Sequence, residues 1–344
     1  MRFGVHLGYW GSGPTDVMPL VREAEAAGFD AIWSAEAYGS DAVSTLAWVA
    51  SRTERIGVGT AVMQIPARSP AATAMTAMTL DHLTGGRFRL GLGSTGPQVS
   101  EGWHGVSFAD PLGRTREYVA IVRAILRREA PVEFHGAHYD LPLTTGTGMG
   151  KPLKSIVHPL RPDIPIYLAA IGPRNIALAG EIADGWIPTF AGPSHFERFD
   201  ASLQEGLRTA GRDRSAIDVA AMVPVAVGPD AQLCRDLVKP FLALYLGGMG
   251  HPKRNFYNQL AARYGFEAEA KAVQELYLAG RRGEAAGAVP DALVDEVALI
   301  GTKERIADRL AVWRQAGVDA IILAGWQPEA VRVVADAAER AGVA

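Results

Sequence analysis

The sequence predicts an α/β protein, a (β/α)8 TIM barrel with two insertions, and three observations lead there. Short apolar strands alternate with amphipathic helical stretches along the chain. A phrase of helix end, glycine and buried strand recurs, as Ala-Gly-Phe-Asp-Ala-Ile-Trp at 27–33 and Ala-Gly-Val-Asp-Ala-Ile-Ile at 316–322, with Ala-Asp-Gly-Trp-Ile at 183–187 as a shorter echo. The strands number eight, which favours a closed barrel over an open doubly wound sheet.

Taken in order, strands are expected near 3–7, 31–34, 56–61, 88–92, 166–169, 185–188, 218–227 and 320–323. Helices are expected near 15–27, 41–52, 69–84, 111–128, 173–182, 195–210, 230–246 and 303–315. In the first helix Val17, Leu20, Val21, Ala24 and Ala27 share one face; in the last, Ile306, Leu310 and Trp313 do so. A glycine after each supplies the left-handed conformation that stops the helix. The chain is longer than a typical barrel, and the excess falls in two places. Residues 129–163 hold a hairpin over Val132–Tyr139 and the glycine-rich stretch 146–150. Residues 247–296 mix Gly247-Gly-Met-Gly250, a polar helical stretch and a loop near 283–290. Both read as insertions in a single domain spanning 1–344.

With 344 residues, 48% of them hydrophobic, the chain can bury a substantial core. A net charge of −3 without a basic block gives no footprint for nucleic acid. The single cysteine, Cys234, rules out an intrachain disulfide and a cysteine metal cluster. The N-terminus lacks a signal-peptide pattern and no apolar run reaches membrane-spanning length, so a cytoplasmic protein with no membrane partner is expected.

Gly91-Leu-Gly-Ser-Thr-Gly96 matches the G-x-G-x-x-G spacing of dinucleotide sites. That site needs a helix opening at the third glycine, and residues 97–105 read as loop. The barrel offers a better context, the C-terminal end of the fourth strand, where active sites are built and exposed N–H groups can approach an anion. A second such loop, Ala169–Asn175, follows the fifth strand, with Pro173 suited to a first helical turn. Together the two could clasp one phosphate.

Four phrases resemble a known family: 56–70 (IGVGTAVMQIPARSP), 80–108 (LDHLTGGRFRLGLGSTGPQVSEGWHGVSF), 165–188 (PIYLAAIGPRNIALAGEIADGWIP) and 300–323 (IGTKERIADRLAVWRQAGVDAIIL). They resemble the bacterial luciferase-like superfamily of flavin and deazaflavin enzymes. The stretches STGPQVSEGWHG and KPLKSIVHPLRPDIPIYLAAIGP look most like its coenzyme F-420-dependent oxidoreductases. The resemblance implies hydride transfer between F-420 and a small-molecule substrate, as a reductase. An FMN-dependent monooxygenase is the alternative, and a non-catalytic flavin- or deazaflavin-binding protein the second. It also implies a homodimer.

The same resemblance implies residue roles. Thr95, Gly96, Ala170, Ile171 and Gly172 would bind the cofactor phosphate through backbone N–H groups. Ala61 and Val62 would form a non-proline cis peptide in a bulge behind the ring. Glu36 would lie on the ring side, with Gln64 and Ser100 giving polar contacts. Lys151, Lys154, Arg161 and Arg174, around the first insertion and the second phosphate loop, could receive the cofactor's acidic tail, with solvated surface charge the default reading of any one of them. Two departures matter: Ala37 stands where luciferase and the sugar-phosphate dehydrogenase have a catalytic histidine, and Pro97 where the dehydrogenase has a glutamate. Neither reaction carries over. The candidate catalytic groups are Glu36, Tyr38 and His104, with His6 and Trp103 also near the mouth. His6, alternating with Val5 and Leu7, is expected to point into the barrel as a hydrogen-bonded core residue. Trp10, beside Gly8, Gly11 and Gly13, is placed to line a substrate pocket. His135, His138 and Asp140 lack a preorganised third ligand position, and no metal is expected.

Overall fold

A computed structural model describes residues 1–10, 12–249, 255–325 and 327–344. Gly11 and Gly250, noted in the sequence, lie outside the described residues. Eight parallel strands close a barrel: β1 (Arg2–His6), β2 (Ala31–Ser34), β3 (Gly57–Thr60), β4 (Phe88–Gly93), β5 (Ile166–Ala169), β6 (Gly185–Ile187), β7 (Asp218–Val227) and β8 (Ala320–Ala324). Each pairs with the next in chain order, and β8 returns to β1 with Gly4 opposite Ile322.

The interior is filled by Ala31, Trp33, Tyr167, Ile187, Ala220, Met222, Ala320 and Ile322, which form a core separate from the outer one. Trp33 and Tyr167 meet edge to face with centroids 5.3 Å apart. They stand on β2 and β5, which are not sheet neighbours, so the contact crosses the barrel. Glycine makes room for it: a Cβ at Gly59 would sit 2.6 Å from the Trp33 ring, and one at Gly185 2.0 Å from Tyr167. Below this layer, Arg89 grips Asp30, Arg2 joins Asp30 to Asp218, and the Tyr167 hydroxyl donates to Asp218 at 2.6 Å. This charged floor sits at the strands' N-terminal ends.

The outer ring comprises α1 (Met18–Ala26), α2 (Ala42–Ala50), α3 (Pro70–Leu83), α5 (Pro111–Arg127), α6 (Pro173–Ile182), α7 (Phe196–Thr209), α13 (Lys303–Gln315) and α14 (Glu329–Arg340). Seven match expected helices. The eighth, α14, was not expected; an ion pair from Arg332 to Glu23 of α1 helps close the ring.

Several expectations need correction. Residues 97–102 are not loop but a short helix, α4 (Pro97–Gly102), with Gly96 as its N-cap. Proline at the first position presets the helical φ, which outweighs the poor propensity of a glycine- and serine-containing stretch. The second insertion is also longer than 247–296. Strand β7 runs on to Val227, and its last residues pair in parallel with a strand at Leu299–Gly301 before α13 leads to β8. Helix α8 (Ala231–Ala243) therefore belongs to the insertion and not to the ring. It runs into a π-helical turn at Leu244–Gly248, followed by α9 (Phe256–Arg263), α10 (Glu267–Leu278), α11 (Arg282–Gly287) and α12 (Asp291–Val297). Helix α11 occupies much of the expected loop at 283–290. These helices follow the C-terminal end of β7 and form a cap beside the mouth.

The first insertion also differs in detail. Its hairpin pairs Phe134–His135 with Asp140–Leu141, so the turn lies over 136–139. Arg161 binds the fully buried Asp81, near the end of α3, and the Phe88 carbonyl at the start of β4. Lys154 donates to the Glu129 carbonyl just beyond α5. Both cations are therefore at the N-terminal face, away from the loops that the sequence assigned them to.

Candidate active site at the C-terminal mouth

Four loops bring most of the predicted residues together. Glu36, on the β2–α2 loop, has a side chain only 6% exposed. One oxygen accepts from the Gln64 N–H at 2.9 Å, the other from the Ala42 N–H at 3.1 Å, and Arg68 bridges both. Arg68 was absent from the predicted site, although it stands in the quoted IPARSP phrase. This carboxylate has both oxygens committed to holding two loops in register, which favours a structural ion pair over a proton donor.

Gln64 extends the network. Its side-chain oxygen meets His104 Nε2 at 2.7 Å, and its amide nitrogen reaches the Thr95 hydroxyl at 3.4 Å. With the amide donating to Thr95, the Nε2 of His104 carries the proton in this contact. Ser100, predicted to contact cofactor, is buried, and its hydroxyl donates to the Val106 carbonyl at 2.7 Å. Tyr38 and Trp103 stand exposed on their loops. His135 and His138 turn to different carboxylates, Asp140 and Asp110.

The peptide between Ala61 and Val62 is cis. Its Ala61 carbonyl is held by His6 Nε2 at 3.0 Å, while His6 Nδ1 accepts from the Gly8 N–H at 3.2 Å. The ring is thereby fixed as the neutral Nε2–H tautomer, and burial pushes its pKa below the ordinary value. The core reading of His6 identified its surroundings; its grip on the bulge was not legible in sequence.

The two phosphate-type loops leave neighbouring strands. Leu92 of β4 stands opposite Leu168 of β5, and Thr95 and Ile171 lie at equal distance beyond them. Thr95 has φ +56°, and Gly96 and Gly172 each precede a proline that opens a helix. Among the described residues, the N–H groups of Thr95, Gly96, Ile171 and Gly172 find no acceptor. A Cβ at Gly172 would meet nothing within 4 Å, so this backbone faces open space. Trp186 anchors the second loop through the Ala170 carbonyl at 2.9 Å. Unmet donors on two adjacent loops fit a phosphate. Arg174 is exposed beside them.

A family model described as luciferase-like monooxygenase matches residues 1–320. The chain belongs to that family. It is 47% identical, over 97% of its length and 98% of the relative's, to a provisionally named coenzyme F-420-dependent oxidoreductase of Mycobacterium tuberculosis. It is 29% identical to the 5,10-methylenetetrahydromethanopterin reductase of Archaeoglobus fulgidus, covering 88% of this chain and 87% of that one. The solved F-420-dependent tetrahydromethanopterin reductase of Methanopyrus kandleri superposes with a TM-score of 0.81 at 26% identity, over 97% of each chain. This family member therefore shares its barrel and its general layout with F-420-dependent reductases.

The sequence did not single out the aromatic side of the mouth. Phe190, at φ +56° on the β6–α7 loop, meets Phe241, Tyr245 and Tyr257 of the cap edge to face. The available signal was the aromatic run in 241–257, masked by its distance from every recognised phrase.

Proposed function

We propose that this protein is an F-420-dependent oxidoreductase that transfers hydride between the deazaflavin and a small organic substrate, acting as a reductase. The observation that carries the reading is the pair of adjacent loops with unmet N–H donors, in a chain 47% identical to a relative named for F-420. The amides of Thr95, Gly96, Ala170, Ile171 and Gly172 would hold the phosphate, with Arg174 toward the acidic tail. The Ala61–Val62 bulge would support the ring, and His6 positions the bulge through the Ala61 carbonyl. Bound there, the cofactor supplies a hydride-carrying carbon; the protein contributes binding and orientation. His104 and Tyr38 keep hydrogen-bonding capacity for a proton, whereas Glu36 acts as a positioning residue.

The reading predicts selective binding of F-420 over FMN. Fluorescence titration of the protein with each cofactor tests it, and Gly172→Arg, which fills the open space at the second loop, should abolish the binding. A preference for FMN would replace the reductase reading with the monooxygenase one. The exposed apolar side chains Trp48, Met75 and Leu83 on α2 and α3 support a homodimer as the working form.

A further inference from the structure

A line of hydrogen-bonded polar side chains crosses the mouth and ends on His104. Arg68 begins it. Its guanidinium grips both oxygens of Glu36, with Nη2 to Oε2 at 2.9 Å. Its backbone carbonyl accepts from the Tyr118 hydroxyl of α5 at 3.2 Å, so the residue is also held from behind. Glu36 accepts the Gln64 N–H at 2.9 Å, and the Gln64 side chain meets His104 Nε2 at 2.7 Å. These four residues come from three different βα loops.

Gln64 is the junction of the line. It follows the Ala61–Val62 bulge by two residues and stands opposite Gly93 of β4, which leads into the Thr95 loop. Its side chain is buried and divides between two partners, the oxygen toward His104 and the amide nitrogen toward the Thr95 hydroxyl at 3.4 Å. His104 is held a second time, because its own N–H donates to the Val99 carbonyl at 3.1 Å where α4 ends. A neutral imidazole carries one N–H, and the Gln64 oxygen needs a donor, so Nε2 holds that proton. With Nε2 committed, Nδ1 is the ring nitrogen left for a substrate. The planar fork of Arg68 fixes Glu36 in one orientation, which a single point charge would not do.

Resting on the reductase reading, we propose that Arg68 is a positioning residue for proton exchange at His104. Through Glu36 and Gln64 it holds the imidazole as the Nε2–H tautomer and leaves Nδ1 to meet the substrate oxygen. A proton leaving Nδ1 of the doubly protonated ring leaves its bonding electron pair on that nitrogen. The neutral Nε2–H form then stays on Gln64, and uptake of a proton reverses the step.

The test reads the two ring nitrogens by long-range 15N–1H NMR on cofactor-free protein labelled at histidine, at about pH 9, where imidazole is neutral. His104→Gln assigns the signal. The ratio of Nε2–H to Nδ1–H forms should exceed that of a free histidine peptide about ten-fold, the bias of one ordinary hydrogen bond. Gln64→Met should return it to the peptide value. Arg68→Met should lower it about five-fold with circular dichroism unchanged, and Arg68→Lys, which keeps the charge but loses the fork, should fall between. Should Arg68→Met not fold, the lysine variant decides. Diethyl pyrocarbonate, which attacks the unprotonated ring nitrogen, should modify His104 in the same protein. A wild-type ratio no higher than the peptide's, an unchanged ratio in every folded Arg68 variant, or an unreactive His104 would overturn the proposal. Failure of the F-420 titration would count against the cofactor reading alone, because every histidine measurement is made without cofactor.

Discussion

At the scale of single residues, His6 and Glu36 do their work through backbone groups on other loops. His6 donates from Nε2 to the Ala61 carbonyl and accepts at Nδ1, so a second proton would break the Gly8 contact. Its folded pKa lies below the unfolded 6.5, hence the unfolded chain takes up the proton first as pH falls. The contribution to stability is complete above about pH 6.5 and declines below it, until His6 itself titrates. Urea unfolding across this range should show a flatter pH dependence in His6→Gln than in the wild type. Glu36→Ala should cost about 3 kcal/mol by the same measurement, because it strands Arg68 and two N–H groups. Glu36 was legible as an acidic residue at a strand end, but its partner was not, since Arg68 approaches it only when the β2 and β3 loops meet.

Among elements, the barrel strands were legible because alternation of apolar strands and amphipathic helices is local. Their tight interior was not. Gly185 and Tyr167 sit on adjacent strands, and only their registry brings a would-be Cβ within 2.0 Å of the ring. Gly185→Ala should therefore destabilise the protein by about 3 kcal/mol in thermal or urea unfolding, a typical overpacking penalty. The cap depends on Tyr264, whose hydroxyl donates to the Phe190 carbonyl and accepts from the Gly192 N–H. Tyr264→Phe leaves both groups unmet and should cost about 2 kcal/mol. Hydrogen exchange should show the loss concentrated in α9 and the β6–α7 loop.

For the whole molecule, the cap lies at the end where the four βα loops converge, and the charged floor closes the other end. Substrate access is therefore expected from the capped side. Trp48 is 45% exposed, Met75 62% and Leu83 74%, on ring helices away from the mouth. Sedimentation should report a dimer for the wild type and a shift to monomer for Met75→Glu, with the circular dichroism spectrum unchanged.

The sequence by itself determined the barrel, the strand order and the two glycine loops, because apolar periodicity, glycine stops and proline at helix starts act within a few residues. It also identified the Ala61–Val62 bulge through resemblance. Only the tertiary structure decided which helices belong to the ring and which to the cap, because α8 and α13 have similar local patterns and differ in what they pack against. It also revealed the Glu36–Arg68 and His6–Ala61 contacts and gathered Phe190, Tyr245 and Tyr257 into one aromatic cluster. Those pairings join residues tens to hundreds of positions apart, and no local preference specifies which distant neighbour closure of the barrel will bring.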